Sequence, residues 1–160
     1  MKLLAIDPGQ TMSAYVLWDT DKQTGEPGHI ENEKMCEFLS LPSFREGVIA
    51  KVGLVVIERI RSYGQQVGND TLETCEWVGR FEQAAKGVTL PVWKIPRSDV
   101  LKAFSIEKKG ADRWLKECMV ERFGMAHKRS KSGSLTVPGW SDHNFAALGV
   151  AVLAEERMTR

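Results

Sequence analysis

The N-terminal run Met1–Gly9 constrains the fold most, because an apolar stretch leads directly to one carboxylate and a turn. Residues 3–6 are all apolar, which predicts a buried strand that carries Asp7 at its carboxyl end. Pro8 cannot donate a ladder hydrogen bond and Gly9 tolerates positive φ, so the chain must turn directly after Asp7. A carboxylate on a rigid strand end suits metal or phosphate chemistry, although an acid at this position is also a common turn residue.

A second strand of the same design is predicted at residues 53–59, where four consecutive apolar residues precede Glu58. Three of the four are β-branched, which indicates a strand buried on both faces. Because an unpaired buried carboxylate is costly, Glu58 either has a function or pairs with Arg59 or Arg61. If Asp7 and Glu58 end neighbouring strands, they form half of a divalent metal site.

The composition is that of an ordinary globular protein, with 160 residues of which 42% are hydrophobic and 27% charged. We expect a single domain over residues 1–160. No apolar run approaches the roughly 20 residues that span a bilayer, and no signal peptide is recognisable, so no membrane partner is expected. The three cysteines are odd in number and widely spaced, which favours free thiols in a reducing, cytoplasmic compartment over disulfides or a zinc site.

The net charge of +1 conceals an uneven distribution. Residues 94–131 contain eleven basic and five acidic residues, so the rest of the chain is net negative. Such asymmetry predicts a basic surface beside an acidic centre, as phosphate binding around cations requires. A solvated helical face explains the same charges equally well.

Further hydrophobic patterns and turn residues predict the other elements. Strands are expected at residues 11–18, 30–39 and 90–95, with a hairpin loop at 19–28. Helices are expected at 42–52, 69–86, 98–104, 110–123 and 141–157, the second of them capped by Asn69 or Asp70. A basic loop is expected at 127–139. This order predicts an α/β fold with a mixed five-stranded sheet flanked by helices, three antiparallel strands preceding the parallel ones. Right-handed crossovers then bring Asp7 and Glu58 together at the carboxyl edge, where open α/β sheets bind ligands.

The last predicted helix supplies a third candidate for this edge. Ser141 is a favourable N-cap, and Asp142 and His143 fall in the first turn. Small residues at positions 146, 147, 149 and 151 allow the helix to pack closely on the sheet and to bring Asp142 or His143 near Asp7. Alternatively, Asp142 only complements the helix dipole and His143 is a surface residue.

With three acids placed in this way, the chain resembles the RuvC-type Holliday junction resolvases of the RNase H-like superfamily over nearly its whole length. The resemblance lies in the segments LLAIDPGQTMSAYVLWD, VVIERI, EWVGRFEQAA, PVWKIPRSDVLKAF and SDHNFAALGVAV. It implies two Mg²⁺ ions per site, which Mn²⁺ can replace, and ligands at Asp7, Glu58, Asp142 and His143, with Asp142 preferred over His143. The family usually has an acid three residues after its first ligand on the last helix, where this chain has Phe145 or Ala146.

The resemblance also implies an activity. It is that of a Mg²⁺-dependent endonuclease that resolves four-way DNA junctions in recombination and repair, in a bacterial or phage-infected cell, without a small-molecule cofactor. Lys102 and Arg113 match the region of the family's supporting basic residues, with Lys102 assigned to catalysis, although both could be ordinary helix charges. The resemblance places DNA contacts at Arg61, Tyr63, Arg113, Lys128, Arg129 and Lys131, with Tyr63 able to stack on a base.

Two symmetric nicks in a four-way junction call for a two-fold symmetric homodimer. The family dimerises through the helix after the fourth strand, where Trp77, Val78 and Phe81 are the apolar candidates, although they could equally be core residues. Two other functions compete with this prediction. The first, a sugar-kinase or actin-like nucleotide-binding lobe, needs a second lobe that 160 residues cannot supply. The second is a junction- or branched-DNA-binding protein with weak or no cleavage, and within the enzyme class a broader branched-DNA nuclease is also open.

Overall fold

The computed structural model describes residues 1–41, 52–61, 64, 66–107 and 109–160. Three strands come first, and helices and shorter strands follow in mixed order. In chain order the elements are β1 (Lys2–Asp7), β2 (Met12–Asp19), β3 (Thr24–Glu31), α1 (Asn32–Ser40), β4 (Val52–Arg59), α2 (Asn69–Gly87), β5 (Val92–Pro96), α3 (Arg97–Ala103), α4 (Ala111–Arg122), β6 (Lys128–Arg129), β7 (Leu135–Thr136) and α5 (Asp142–Met158).

The main sheet has five strands in the order β3-β2-β1-β4-β5. β1 pairs antiparallel with β2, and β2 with β3, whereas β1 with β4 and β4 with β5 are parallel. This is the predicted mixed sheet. In the parallel register Ile6 lies opposite Ile57, so Asp7 and Glu58 follow side by side at one edge, as predicted.

The hydrophobic core lies on both faces of the sheet. Leu3 and Ala5 of β1 join the cluster under α3, α4 and α5, whereas Leu4 and Ile6 join the cluster under α1 and α2. β4 alternates in the same way, so its four apolar residues are buried on both faces as predicted. Rigid, doubly covered strands therefore deliver both carboxylates to the sheet edge.

The predicted third strand at residues 30–39 is wrong, because this segment is mostly helix α1. Its buried residues Asn32, Met35 and Leu39 follow helical spacing. The third strand is instead β3, which occupies the second half of the predicted 19–28 loop and pairs with the whole of β2. Gly28 suits a strand here, because a Cβ atom at this position would lie 2.3 Å from Cζ of Tyr15. An edge strand also tolerates proline, so the turn-like composition was misleading.

Smaller differences concern element ends. Helix α2 is capped by Gly68 rather than by Asn69 or Asp70, which lie inside the helix. The predicted basic loop contains the two-stranded hairpin β6–β7. The predicted helix at 42–52 lies outside the described residues, apart from residue 52, which begins β4.

Helix α5 packs closely against its neighbours through its small residues. It contacts β1, β2 and β4, and it also packs on α3 and α4. The tightest approach is at Gly149, where a Cβ atom would lie 2.9 Å from Cγ1 of Val100 and 3.1 Å from Cδ2 of Leu115. The predicted close packing is therefore confirmed, with α3 and α4 as the elements nearest to Gly149.

The three cysteines, Cys36, Cys75 and Cys118, are free thiols as predicted. Within the described ranges, every helix is too short or too polar to cross a bilayer.

Candidate active site

Asp7 is held at the end of β1 by the turn that follows it. Gly9 is required there, because a Cβ atom would lie 2.2 Å from the Met12 carbonyl oxygen. The buried side chain of Asn32 holds this turn through two hydrogen bonds. Its Nδ2 donates to the Gly9 carbonyl at 2.9 Å, and its Oδ1 accepts from Ser13 Oγ at 2.7 Å. Asp7 consequently has a defined position with 13% of its side chain exposed.

Glu58 lies beside Asp7 on the neighbouring parallel strand, and 14% of its side chain is exposed. Burial, and secondly the charge of Asp7, together raise the pKa of Glu58 to about 7. The neighbouring Arg97 opposes this shift. Burial also raises the pKa of Asp7 above its ordinary value, against the hydrogen bond from His143. Desolvation is thus the main cause of both shifts, because burial disfavours the charged form of a carboxyl group.

His143 is the residue of the last helix that reaches Asp7, with Nδ1 2.8 Å from Oδ2 of Asp7. Asp142 points elsewhere: its Oδ1 accepts a 2.7 Å hydrogen bond from Nζ of Lys116 on α4. Successive helix residues are about 100° apart, so only one of the two can face the strand end. The expectation that both face the site, with Asp142 preferred over His143, is therefore corrected by the geometry.

The start of α5 is locked to the sheet by Asn144. Its backbone N–H and the Ser141 side chain form a capping box, in which the Asn144 Oδ1 accepts from the Ser141 N–H at 2.9 Å. The Nδ2 of Asn144 donates to the carbonyls of Tyr15 and Gly28, at 3.2 and 3.0 Å. This buried amide therefore ties helix α5 to β2 and β3 one residue after His143. Ser141 is the N-cap that the sequence predicts.

Arg97 is the basic residue that the structure brings to the carboxylates. Its Nη1 donates to Oε2 of Glu58 at 3.3 Å, and its Nη2 donates to Oδ1 of Asp112, at the first turn of α4. The arginine partner of Glu58 is therefore Arg97, and not Arg59 or Arg61 as the sequence offered. Asp112 also acts on both carboxylates, since its charge raises the pKa of Asp7 and of Glu58.

Sequence reasoning missed Arg97, Asp112 and the two buried asparagines. A signal for Arg97 existed, because β5 runs parallel to β4 with Ile95 opposite Glu58, and Arg97 follows two residues later. The same carboxyl-edge argument that placed Asp7 and Glu58 applies to it. Asp112 arrives from a different element, and no local pattern reveals it.

A divalent cation suits this donor set. Two largely buried carboxylates offer hard oxygen ligands, which divalent cations such as Mg²⁺ prefer. His143 adds a nitrogen beside Asp7. Among the described residues, however, no three histidine, cysteine, aspartate or glutamate side chains are already gathered as a metal-binding group. Position 146, where a family member would carry an acid, is a buried alanine with 7% exposure.

Lys102 and Arg113, which the sequence also assigned to the site, interact with acidic residues other than Asp7 and Glu58. Lys102 is exposed on α3, where its charge and that of Arg61 act on Asp99. Arg113 is exposed on α4 and its Nε donates to Glu117 at 3.2 Å. Their catalytic and DNA-binding roles stay predictions. Tyr63 lies outside the described residues.

A basic hairpin projects beside α4. Lys128 and Arg129 form β6, Lys131 lies in the turn, and all three are exposed. Leu135 on β7 is buried in the core and anchors the hairpin. Arg129 is partly neutralised, since its Nη1 lies 3.4 Å from Oε1 of Glu117, whereas the two lysines extend the charge into solvent.

The helix proposed for dimerisation divides into two sets of residues. Val78 and Phe81 of α2 belong to the core, which resolves the alternative for them. Trp77 is partly exposed and lines a groove between α1 and α2, with the Arg80 guanidinium 4.6 Å from its ring centroid. Trp77 is thus the remaining apolar candidate for a subunit contact.

Comparison with solved structures shows the same fold in RuvC from Thermus thermophilus. The chain matches the RuvC structure with a TM-score of 0.65 and 18% identity, covering 99% of this chain and 97% of that chain. It matches T. thermophilus RuvC in complex with a Holliday junction substrate with a TM-score of 0.66 and 18% identity, covering 99% and 96%. No protein-family model and no curated protein matches the chain. The predicted RNase H-like mixed sheet is confirmed.

Proposed function

We propose that this chain is a RuvC-type, divalent-metal-dependent endonuclease that resolves four-way DNA junctions. The observation that carries the proposal is that Asp7 and Glu58 end the neighbouring parallel strands β1 and β4, with Nδ1 of His143 2.8 Å from Oδ2 of Asp7. The fold shared with RuvC supports it, because RuvC also occurs in complex with a Holliday junction substrate. We propose that it acts in DNA recombination and repair, in the cytoplasm of a bacterial or phage-infected cell.

Asp7 and Glu58 would hold the metal, with His143 as a further ligand beside Asp7. Mg²⁺ is the preferred ion because the carboxylates are hard ligands, and Mn²⁺ is expected to replace it. We propose two ions per site, held by Asp7 together with Glu58 and His143. Bound there, they would supply the positive charge that activates water and stabilises the leaving oxygen in phosphodiester hydrolysis.

The chain's own residues position this chemistry. Asn32 holds the turn after Asp7, and Asn144 holds the start of α5 that carries His143. Asp7 and Glu58 keep 13% and 14% of their side chains exposed, and a DNA strand would approach them through this exposed part. Lys128, Arg129 and Lys131 of the β6–β7 hairpin would contact backbone phosphates, as would Arg61 and Arg113 by the family pattern. Tyr63 would stack on a base.

Symmetric nicking requires a homodimer, and we propose the α1–α2 groove around Trp77 as the contact. A partly exposed tryptophan stacked under Arg80 is typical of interface cores. Sedimentation of the wild type and of Trp77→Ala at micromolar concentration tests this: the variant is expected to be monomeric and folded.

The activity test is nicking of a synthetic four-way junction in Mg²⁺ and in Mn²⁺. The wild type is expected to make paired nicks across the junction, and Asp7→Asn is expected to bind the junction without cutting. Fork and flap substrates assayed in parallel separate a junction resolvase from a broader branched-DNA nuclease. Cleavage by Asp7→Asn at the wild-type rate would exclude the proposed site.

A second candidate is a junction-binding protein with weak or no cleavage. The buried Ala146 favours it, because this position supplies no carboxylate to a second ion. Junction binding in EDTA combined with no cleavage in either metal would support this candidate over the enzyme.

A further inference from the structure

Arg97 lies between two carboxylates of very different exposure. Glu58 has 14% of its side chain exposed, whereas Asp112 has 74% exposed, and Arg97 itself has 23%. Loss of the Arg97 charge would therefore strongly destabilise the ionised form of Glu58. It would affect Asp112 little, because solvent screens that exposed carboxylate.

The two contacts also differ in their place in the fold. Nη1 donates to Oε2 of Glu58 at 3.3 Å, which is long for a charge-assisted hydrogen bond, whereas Nη2 donates to Oδ1 of Asp112 on α4. The guanidinium therefore has a second carboxylate partner outside the edge of the sheet. A cation that took the Glu58 carboxylate would leave Arg97 paired with Asp112.

Arg97 also acts on Asp7, since its charge favours the ionised form of that carboxyl group. The Arg97 guanidinium therefore provides positive charge to both carboxylates to which the proposed function assigns the metal. A divalent ion and Arg97 would supply positive charge to the same oxygens, and close cations oppose each other.

We propose that Arg97 is an internal counter-cation that competes with the divalent metal for Glu58, and that Asp112 acts through Arg97 by drawing the guanidinium away from Glu58. This inference rests on the proposed function, because it takes Asp7 and Glu58 as metal ligands. Arg97 and Asp112 are in this sense positioning residues: together they set how readily the site accepts its metal.

The test measures Mn²⁺ affinity of the metal-stripped full-length protein by calorimetry, without DNA. Arg97→Gln is expected to bind Mn²⁺ about tenfold more tightly, and Asp112→Asn about tenfold more weakly, the range of close coupled pairs. In the Arg97→Gln background, Asp112→Asn is expected to change the affinity by less than about threefold, because an exposed charge is screened. Arg122→Gln, whose partner is Glu156, and Glu121→Gln are the matched controls on α4.

The outcomes separate the two levels of the proposal. A wild type that binds no Mn²⁺ overturns the proposed metal chemistry. Normal binding by the wild type with unchanged or weaker binding by Arg97→Gln overturns the competition and leaves the proposed function standing. Equal weakening by Asp112→Asn in both backgrounds makes Asp112 a direct ligand, contrary to the proposal. Arg97→Lys, which keeps the charge without the two-nitrogen fork, provides an intermediate affinity if the glutamine variant does not fold.

Discussion

His143 and Asp7 are 136 residues apart in the chain, yet the imidazole Nδ1 lies 2.8 Å from a carboxylate oxygen of Asp7. The contact joins the first strand to the last helix, so it forms only when the whole sheet and α5 are assembled. Glu58 completes the edge from the neighbouring strand. The proposed chemistry depends on this convergence.

Asp7→Asn is expected to reduce junction cleavage by about 10²–10³-fold, because loss of a metal ligand removes several kcal/mol of transition-state stabilisation. His143→Ala is expected to have a smaller but clear effect. Asp142→Asn is expected to cost less than about tenfold, since Asp142 pairs with Lys116 and not with Asp7. Single-turnover nicking rates provide the measurement. A larger loss for Asp142→Asn than for His143→Ala would contradict the geometry.

The stability of the metal-free protein is expected to fall as the pH rises from about 4.5 to about 7. The folded-state pKa of Glu58 is raised from 4.5 to about 7, so the native state binds more protons than the unfolded state in this window. Glu58→Gln removes this dependence, and it is expected to be more stable than the wild type at pH 8 by roughly 1–3 kcal/mol.

Urea unfolding in EDTA at pH 5 and pH 8 measures this difference. Glu121→Gln, on the exposed side of α4, is the control and is expected to follow the wild type at both pH values. A Glu58→Gln variant that loses stability with pH as steeply as the wild type would show that the shift belongs to another group.

Removal of the hairpin lysines is expected to weaken junction binding in a salt-dependent way. Each lysine that neutralises a phosphate contributes about one unit to the slope of log affinity against log salt concentration, so Lys128→Ala combined with Lys131→Ala is expected to lower the slope by about 2. Lys22→Ala, in the exposed β2–β3 turn, is the control. Fluorescence anisotropy in Ca²⁺ between low and moderate salt measures the slopes. An unchanged slope would remove the hairpin from the interface.

Asn144→Ala is expected to destabilise the protein by roughly 2–4 kcal/mol, because the carbonyls of Tyr15 and Gly28 and the helix cap lose their buried partner. Thermal unfolding measures the loss, with the exposed Asn69→Ala as the control, for which little change is expected. If Asn144→Ala unfolds at the wild-type temperature, the amide does not tie α5 to the sheet.

Local patterns were informative where burial is symmetrical. The strands β1 and β4 are buried on both faces, so each is visible in the sequence as an apolar run. Each run is followed directly by a carboxylate, so Asp7 and Glu58 could be predicted. The Ser141 cap of the last helix was equally readable. β3 could not be predicted from the sequence, because its glycines do not form a turn. They lie in a strand, where a Cβ atom would collide with side chains of the paired strand β2, such as the Tyr15 ring at Gly28.

By itself, the sequence determined which strands are buried, where their acids lie and that a mixed sheet follows. Only the tertiary structure decided that His143 rather than Asp142 reaches Asp7. It also decided that Arg97 donates to Glu58 and to Asp112. The physical reason is that hydrophobic periodicity is local in the chain. The direction of one helix residue at a sheet edge is set by how that helix packs on α3, α4 and the sheet.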